Sequence, residues 1–265
     1  MEMHTLGQRV AAEFVGAALL VFIGAGSVPA LLLLNSSSES PFTGSELGFV
    51  AIAFGLALMA MIYTVGKVSG CHINPAVTLA LAATRRFPRA DVLPYWAAQV
   101  AGGIAGALAI WASFGGRAFD VGIGVVDFDG ADTAWASAIF VETLGTAVLV
   151  LVILGIVDTR SPQGWAGLVI GLVLTALILA TGPITGASFN PARALGPLVV
   201  SHLNDGFHNW IEQLLAYIPA NLAGAAIGAF AYDAIATPRR IAQPIKEAVS
   251  EPDRAASYGE RAPGS

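Results

Sequence analysis

The sequence predicts an all-α membrane protein with six transmembrane helices and two re-entrant half-helices, folded as two inverted three-span repeats. Three observations carry that expectation. Of 265 residues, 55% are hydrophobic and only 12% charged, with a mean hydropathy of +0.71; a soluble domain carries roughly twice that charge. Apolar runs recur that are long enough for a hydrocarbon core of about 30 Å, which takes roughly 20 helical residues. The tripeptide Asn-Pro-Ala occurs twice, closing the frames Ser69-Gly70-Cys71-His72-Ile73-Asn74-Pro75-Ala76 and Thr185-Gly186-Ala187-Ser188-Phe189-Asn190-Pro191-Ala192.

The elements follow in chain order. A first span at about 9–34 is too long for the apolar core of a cleavable signal peptide and holds Glu13 inside it. Further spans are expected at about 46–67, 91–114, 134–157, 164–182 and 209–235. Two shorter apolar segments, about 75–84 and 191–200, each start at an Asn-Pro-Ala. A ten-residue helix is about 15 Å long, half the hydrocarbon thickness, so neither spans alone, but two meeting end to end do. The tail 237–265 is rich in Pro, Ala and charge and is expected as a disordered cytoplasmic extension of a membrane domain covering 1–236.

Repetition extends past the tripeptides. An offset of 116 maps Gly55 onto Gly171, Gly66 onto Gly182, Gly70 onto Gly186 and Asn74 onto Asn190. Ala12-Glu13-Phe14-Val15-Gly16 answers Val141-Glu142-Thr143-Leu144-Gly145, and Gln99, Gly102 and Gly106 answer Asn221, Gly224 and Gly228. The repeats run over about 9–115 and 134–236. Three spans per half is odd, so the halves are inverted, and inverted repeats place a site near the midplane where broken helices meet.

Charge orients the chain. With the N-terminus inside, the inner loops hold Arg9, Lys67, Arg85, Arg86, Arg89, Arg160, Arg239, Arg240, Lys246, Arg254 and Arg261. The outer loops keep Arg117 among the acids Glu39, Glu46, Asp120, Asp127, Asp129, Asp132 and Asp205. This is the positive-inside distribution, with both termini cytoplasmic. The net charge of −5 is uninformative as a total and no nucleic-acid partner is expected, while the single cysteine, Cys71, excludes an intrachain disulfide and a thiolate metal cluster. His72 has no second His or Cys at ligand spacing, so no metal or cofactor is expected.

Asn74 and Asn190 fit the helix N-cap, with Pro75 and Pro191 at the first helical position. An Asn whose oxygen caps its own helix keeps its amide NH₂ free to donate. Two such amides would meet at the midplane beside two helix N-termini, each equivalent to about half a positive charge. That combination offers hydrogen bonds to an uncharged oxygen and repels cations. Arg193 falls at membrane depth, where charge is costly and marks function by default, although a snorkelling arginine is the plainer alternative.

Six spans in inverted halves, Gly-x-x-x-Asn-Pro-Ala twice, and Arg193 just after the second copy resemble the aquaporins and aquaglyceroporins, the major intrinsic protein family. The resemblance covers about residues 9–236. It implies a homotetramer whose protomers each carry an hourglass channel for water and small neutral solutes in a lipid bilayer. It also implies that Phe54, Ile178 and Ala187 join Arg193 in a narrow outer selectivity filter. Strict water channels typically have His at the position of Ile178 and Cys or Thr at that of Ala187. Glycerol channels usually have Asp directly after the Arg, where this chain has Ala194, and longer connections than the 116 residues between the two motif asparagines. The filter therefore matches neither subfamily, and glycerol passage stays open beside water.

Glu13 and Glu142 lie in apolar spans and could relay protons; their equivalent placement favours the alternative, carboxylates that accept N–H bonds from re-entrant loops lacking helix partners. Gly70, Cys71, His72, Gly186 and Ser188 would turn backbone carbonyls to the lumen. The paired glycines of the third and sixth spans suit close helix approach. A coupled transporter shares the repeat architecture, but no carboxylate adjoins the motifs to bind a coupling ion. No nucleophile–base pair is evident, so no enzyme is expected. A short chain without targeting signals suggests a bacterial cell membrane.

Overall fold

The computed structural model describes residues 4–35, 43–206 and 208–236; the expected cytoplasmic tail and Glu39 lie outside the described residues. Eight helices carry the architecture: α1 (Leu6–Leu34), α2 (Gly44–Ser69), α3 (Pro75–Ala83), α4 (Arg89–Phe114), α5 (Trp135–Val157), α6 (Ala166–Thr185), α7 (Pro191–Leu203) and α8 (Trp210–Ala236). All but α3 and α7 are long and apolar enough to cross a membrane. The chain is a multi-pass membrane protein. At nine residues α3 is about 14 Å long, so it ends inside a bilayer rather than across it.

Local chemistry sets the ends. Thr5 and Gln8 cap each other at the start of α1, the Gln8 N–H donating to Thr5 Oγ1 at 3.3 Å and the Thr5 N–H to Gln8 Oε1 at 2.9 Å. Thr43 and Glu46 repeat the device on α2. Helices α2 and α6 end alike, on Gly70 at φ 88° and Gly186 at φ 71°, left-handed conformations that cost glycine little. Asn74 and Asn190 cap α3 and α7, with Pro75 and Pro191 at the first helical position.

The spans lie within a few residues of their expected limits, and the differences have local causes. Helix α6 runs to Thr185, past Gly182-Pro183, because a proline near a helix end removes one backbone donor without stopping the last turn. A wide π turn interrupts α1 at Val21–Ala25 and α8 at Gln213–Tyr217. Each inserts a residue without altering an apolar run, so periodicity does not disclose it. The connection after α4 contains a helical turn at Arg117–Asp120 and a 3₁₀ turn at Gly122–Gly124.

Glycine lets the helices touch backbone to backbone. A Cβ on Gly102 or Gly106 of α4 would stand 2.3 Å from the carbonyl oxygen of Phe14 or Ala18 in α1. In the other half a Cβ on Gly224 or Gly228 of α8 would stand 2.2 Å from that of Thr143 or Ala147 in α5. The two halves thus repeat one packing solution, α4 on α1 and α8 on α5. Helices α3 and α7 meet N-terminus to N-terminus between them.

Candidate functional site

Everything at the centre is built from two short loops with left-handed kinks, Gly70–Asn74 and Gly186–Asn190. In the first, φ is positive at Gly70, Cys71 and Ile73; in the second, at Gly186, Ala187 and Phe189. Backbone folded this way cannot pair its own N–H groups, and inside a membrane there is no water to do it. Buried carboxylates do it instead. Glu13, fully buried in α1, accepts the N–H of His72 at 2.9 Å and of Ile73 at 2.6 Å, with Ser69 Oγ at 2.6 Å and Gln99 Nε2 at 2.7 Å. Glu142 in α5 accepts the N–H of Ser188 at 2.9 Å and of Phe189 at 3.0 Å, with Thr185 Oγ1 and Asn221 Nδ2 each at 2.7 Å. Room for the loops comes from the glycine three residues after each acid. A Cβ on Gly16 would meet Ile73 at 2.6 Å, and one on Gly145 would meet Phe189 at 2.1 Å.

The two asparagines tie the loops together. Asn74 Oδ1 accepts the Ala76 N–H at 2.9 Å while its Nδ2 donates to the Phe189 carbonyl at 2.8 Å. Asn190 Oδ1 accepts the Ala192 N–H at 3.0 Å while its Nδ2 donates to the Ile73 carbonyl at 2.9 Å. Here the structure amends the sequence reading, which left each NH₂ wholly free. One N–H of each amide bonds the opposite loop, and one hydrogen per amide is left over.

Arg193, expected at membrane depth, is 4% exposed in the first turn of α7 and does not snorkel to a surface. Its Nη1 donates to the Gly124 carbonyl at 2.7 Å, and its Cζ lies 4.8 Å from the ring centroid of Phe54, within cation–π range. Its Nε is buried with no protein partner among the described residues. Phe54 holds its place because α1 has glycine opposite; a Cβ on Gly24 would lie 2.3 Å from the ring. Ile178 and Ala187 line the same cavity.

That cavity, about 430 Å³, brings the sequence-predicted residues together. Ile62, Leu81, Val157 and Ala166 line it, as do Asn74 and Asn190, and Phe54, Ile178, Ala187 and Arg193. Gly70, Cys71, His72 and Ser188 also line it, whereas Gly186, expected with them, does not, and a Cβ there would meet Val126 Cγ1 at 3.3 Å. The His72 ring hydrogen-bonds Thr78 Oγ1 at 3.1 Å and packs on Phe87 and Tyr95. Chemically, the passage presents a few fixed donors on one wall and aliphatic or aromatic carbon on the others. Such a lining suits a small uncharged molecule.

The model of the family described as "Major intrinsic protein" matches residues 1–232. The chain belongs to the major intrinsic protein family. "Aquaporin AqpM" of Methanothermobacter marburgensis is 38% identical over 242 residues, 87% of this chain and 98% of that protein. "Aquaporin Z" of Bradyrhizobium diazoefficiens is 37% identical over 234 residues, 85% of this chain and 92% of that one. Among solved structures, the aquaglyceroporin from Plasmodium falciparum shares the fold at a TM-score of 0.72 and 22% identity, covering 86% of this chain and 94% of its own.

Several working residues of this major intrinsic protein escaped sequence reading. Ser69 and Thr185 sit at the 116-residue offset and are both hydroxyls, a signal that was available. Tyr95 and Tyr217, matched at the offset of 122 that also relates Gln99 to Asn221, are a second pair, their hydroxyls donating to the Ser69 and Thr185 carbonyls at 2.9 and 2.7 Å. Gly124 contributes only a carbonyl, which no residue pattern announces.

Proposed function

We propose that the protein is a passive channel for water and small uncharged solutes that excludes ions and protons. The observation that supports it best is the convergence on one cavity of Arg193 and the N-termini of α3 and α7. Three sources of positive potential face the same narrow path, and fixed positive helix ends and an arginine oppose cations in pores. The remaining Asn74 and Asn190 amide hydrogens, with loop carbonyls from Gly70 to His72, exchange hydrogen bonds with passing water. Glu13 and Glu142 serve as scaffolds, since every oxygen is already engaged by loop and side-chain donors.

Phe54, Ile178, Ala187 and Arg193 form the outer filter in this reading. One edge is polar and the rest is carbon, which favours a second reading, a facilitator of glycerol or another small polyol with hydroxyls on one side and CH groups on the other. The proposed setting is a bacterial cell membrane with both termini cytoplasmic and four protomers per assembly, on the charge pattern and the family resemblance.

Stopped-flow light scattering on proteoliposomes under impermeant-osmolyte, glycerol and urea gradients tests both readings in one preparation. Shrinkage faster than in empty liposomes is expected, and glycerol-driven reswelling decides the second reading. Shrinkage no faster than in protein-free vesicles, or flux that needs an ion gradient, overturns the channel assignment.

A further inference from the structure

We infer that Asn209 and Gln213, at the start of α8, are positioning residues for Arg193, acting through the backbone of Gly124–Val126. The inference rests on the reading of Arg193 as part of the outer filter.

The guanidinium is oriented by the Gly124 carbonyl, so its position is only as well defined as that carbonyl. Gly124 ends the short 3₁₀ turn, in which φ is positive at Gly122, Ile123 and Gly124. A β-branched residue at φ 49° is disfavoured and persists only when its surroundings hold it. Two residues on, the Val126 carbonyl accepts two buried amides, Asn209 Nδ2 at 3.0 Å and Gln213 Nε2 at 3.1 Å. Gln213 Nε2 also donates to Asn209 Oδ1 at 3.2 Å, coupling the pair, and Asn209 Nδ2 reaches Asp127 Oδ1 at 2.6 Å. Opposite walls close the clamp. A Cβ on Gly124 would stand 2.6 Å from the Ala25 carbonyl oxygen, and one on Gly186 would stand 3.3 Å from Val126 Cγ1.

The repeat indicates that this clamp is more than scaffold. Scaffold contacts occur twice: Glu13 with Glu142, Ser69 with Thr185, Tyr95 with Tyr217, Gln99 with Asn221. The last two pairs share an offset of 122, and allowing for the residue that the π turn inserts, Gln213 matches Asp91 or Val92, neither of them an amide. Asp91 instead pairs with Arg9 at 2.9 Å, and the residue matched to Arg193 is Val77. Only the half that carries the filter arginine carries the double-amide clamp. Releasing it frees the Gly124 carbonyl to shift, lets Arg193 tilt, and widens the outer constriction.

The test is the ratio of glycerol to water permeability in proteoliposomes, which does not depend on how many channels reconstitute. Asn209→Leu with Gln213→Met keeps bulk and removes both donors. The ratio is expected to rise about fivefold, the equivalent of one lost hydrogen bond, and to rise no further when Arg193→Val is added. Gln213→Glu, which keeps shape but cannot donate to Val126, should move the ratio the same way and serves if the double variant does not fold. Water and glycerol fluxes that fall together at constant ratio would mark a purely structural role and overturn the inference. If Arg193→Val alone leaves the ratio unchanged, the filter reading itself fails. If Arg193→Val changes it and the clamp variants do not, only the positioning role falls.

Discussion

Gly55 in α2 and Gly171 in α6 meet backbone to backbone: a Cβ on Gly171 would stand 2.6 Å from the Gly55 carbonyl oxygen, and one on Gly55 would stand 2.7 Å from that of Gly171. The two are each other's counterparts at the 116-residue offset, so the inverted halves cross here on their own symmetry element. Neither residue has space for a methyl group.

Gly55→Ala is therefore expected to lower the thermal midpoint of the detergent-solubilised protein, with a cost of about 1–3 kcal/mol for overpacking. Gly48→Ala, in the same helix with nothing near its Cβ position, should be neutral or stabilising. Equal shifts in the two variants would contradict the crossing geometry.

Replacing Glu13 or Glu142 by Gln turns an NH₂ toward backbone donors that need an acceptor. Each donor left buried and unpaired costs about 1–3 kcal/mol, so both variants should melt earlier and yield fewer open channels. Collapse of a pH gradient across the vesicle should be no faster in wild type than in either variant. A proton flux present in wild type and absent in Glu13→Gln would restore the relay reading.

Arg193→Val removes the outer charge and keeps the two helix N-termini. Water permeability should persist while exclusion of protons or small monovalent cations relaxes. Planar-bilayer conductance or a pH-sensitive dye inside vesicles checks this, and a leak identical to wild type counts against the arginine as a barrier.

Cys71 is the only cysteine in the chain and lines the cavity one residue before His72. Mercuric ion should block water flux, a reducing thiol should restore it, and Cys71→Ser should be insensitive. Inhibition that survives the substitution would place the mercury site on another side chain.

How much was readable in advance depended on how local the physics was. Span limits and half-helices were legible because length against bilayer thickness is a one-dimensional criterion, and Asn-Pro-Ala is itself a helix start. Gly70 and Gly186 were legible as loop residues, since only glycine readily ends a helix at positive φ. The partners of Glu13 were less so. Gln99 was matched to Asn221 as a repeat, but a pattern match does not say that both amides point at a carboxylate. Gly124 and Val126 were invisible, because their contribution is a carbonyl and every residue has one. The π turn that opens at Gln213 shifts the face of α8 by one residue, which hydropathy cannot register.

The carboxylate hubs have a consequence for how the molecule is made. Glu13 draws its hydrogen-bond donors from the first half: Ser69, His72, Ile73 and Gln99. Glu142 draws all of its own from the second: Thr185, Ser188, Phe189 and Asn221. As the ribosome delivers the chain, the first three spans can settle their loop's hydrogen bonding before the fourth emerges. Among the contacts that wait for the second half are the handclasp of Asn74 with Phe189 and Asn190 with Ile73, and the crossing of Gly55 with Gly171. The hydrogen bonding of each loop is thus self-contained within its half, and the joining of the halves adds contacts to it without replacing any.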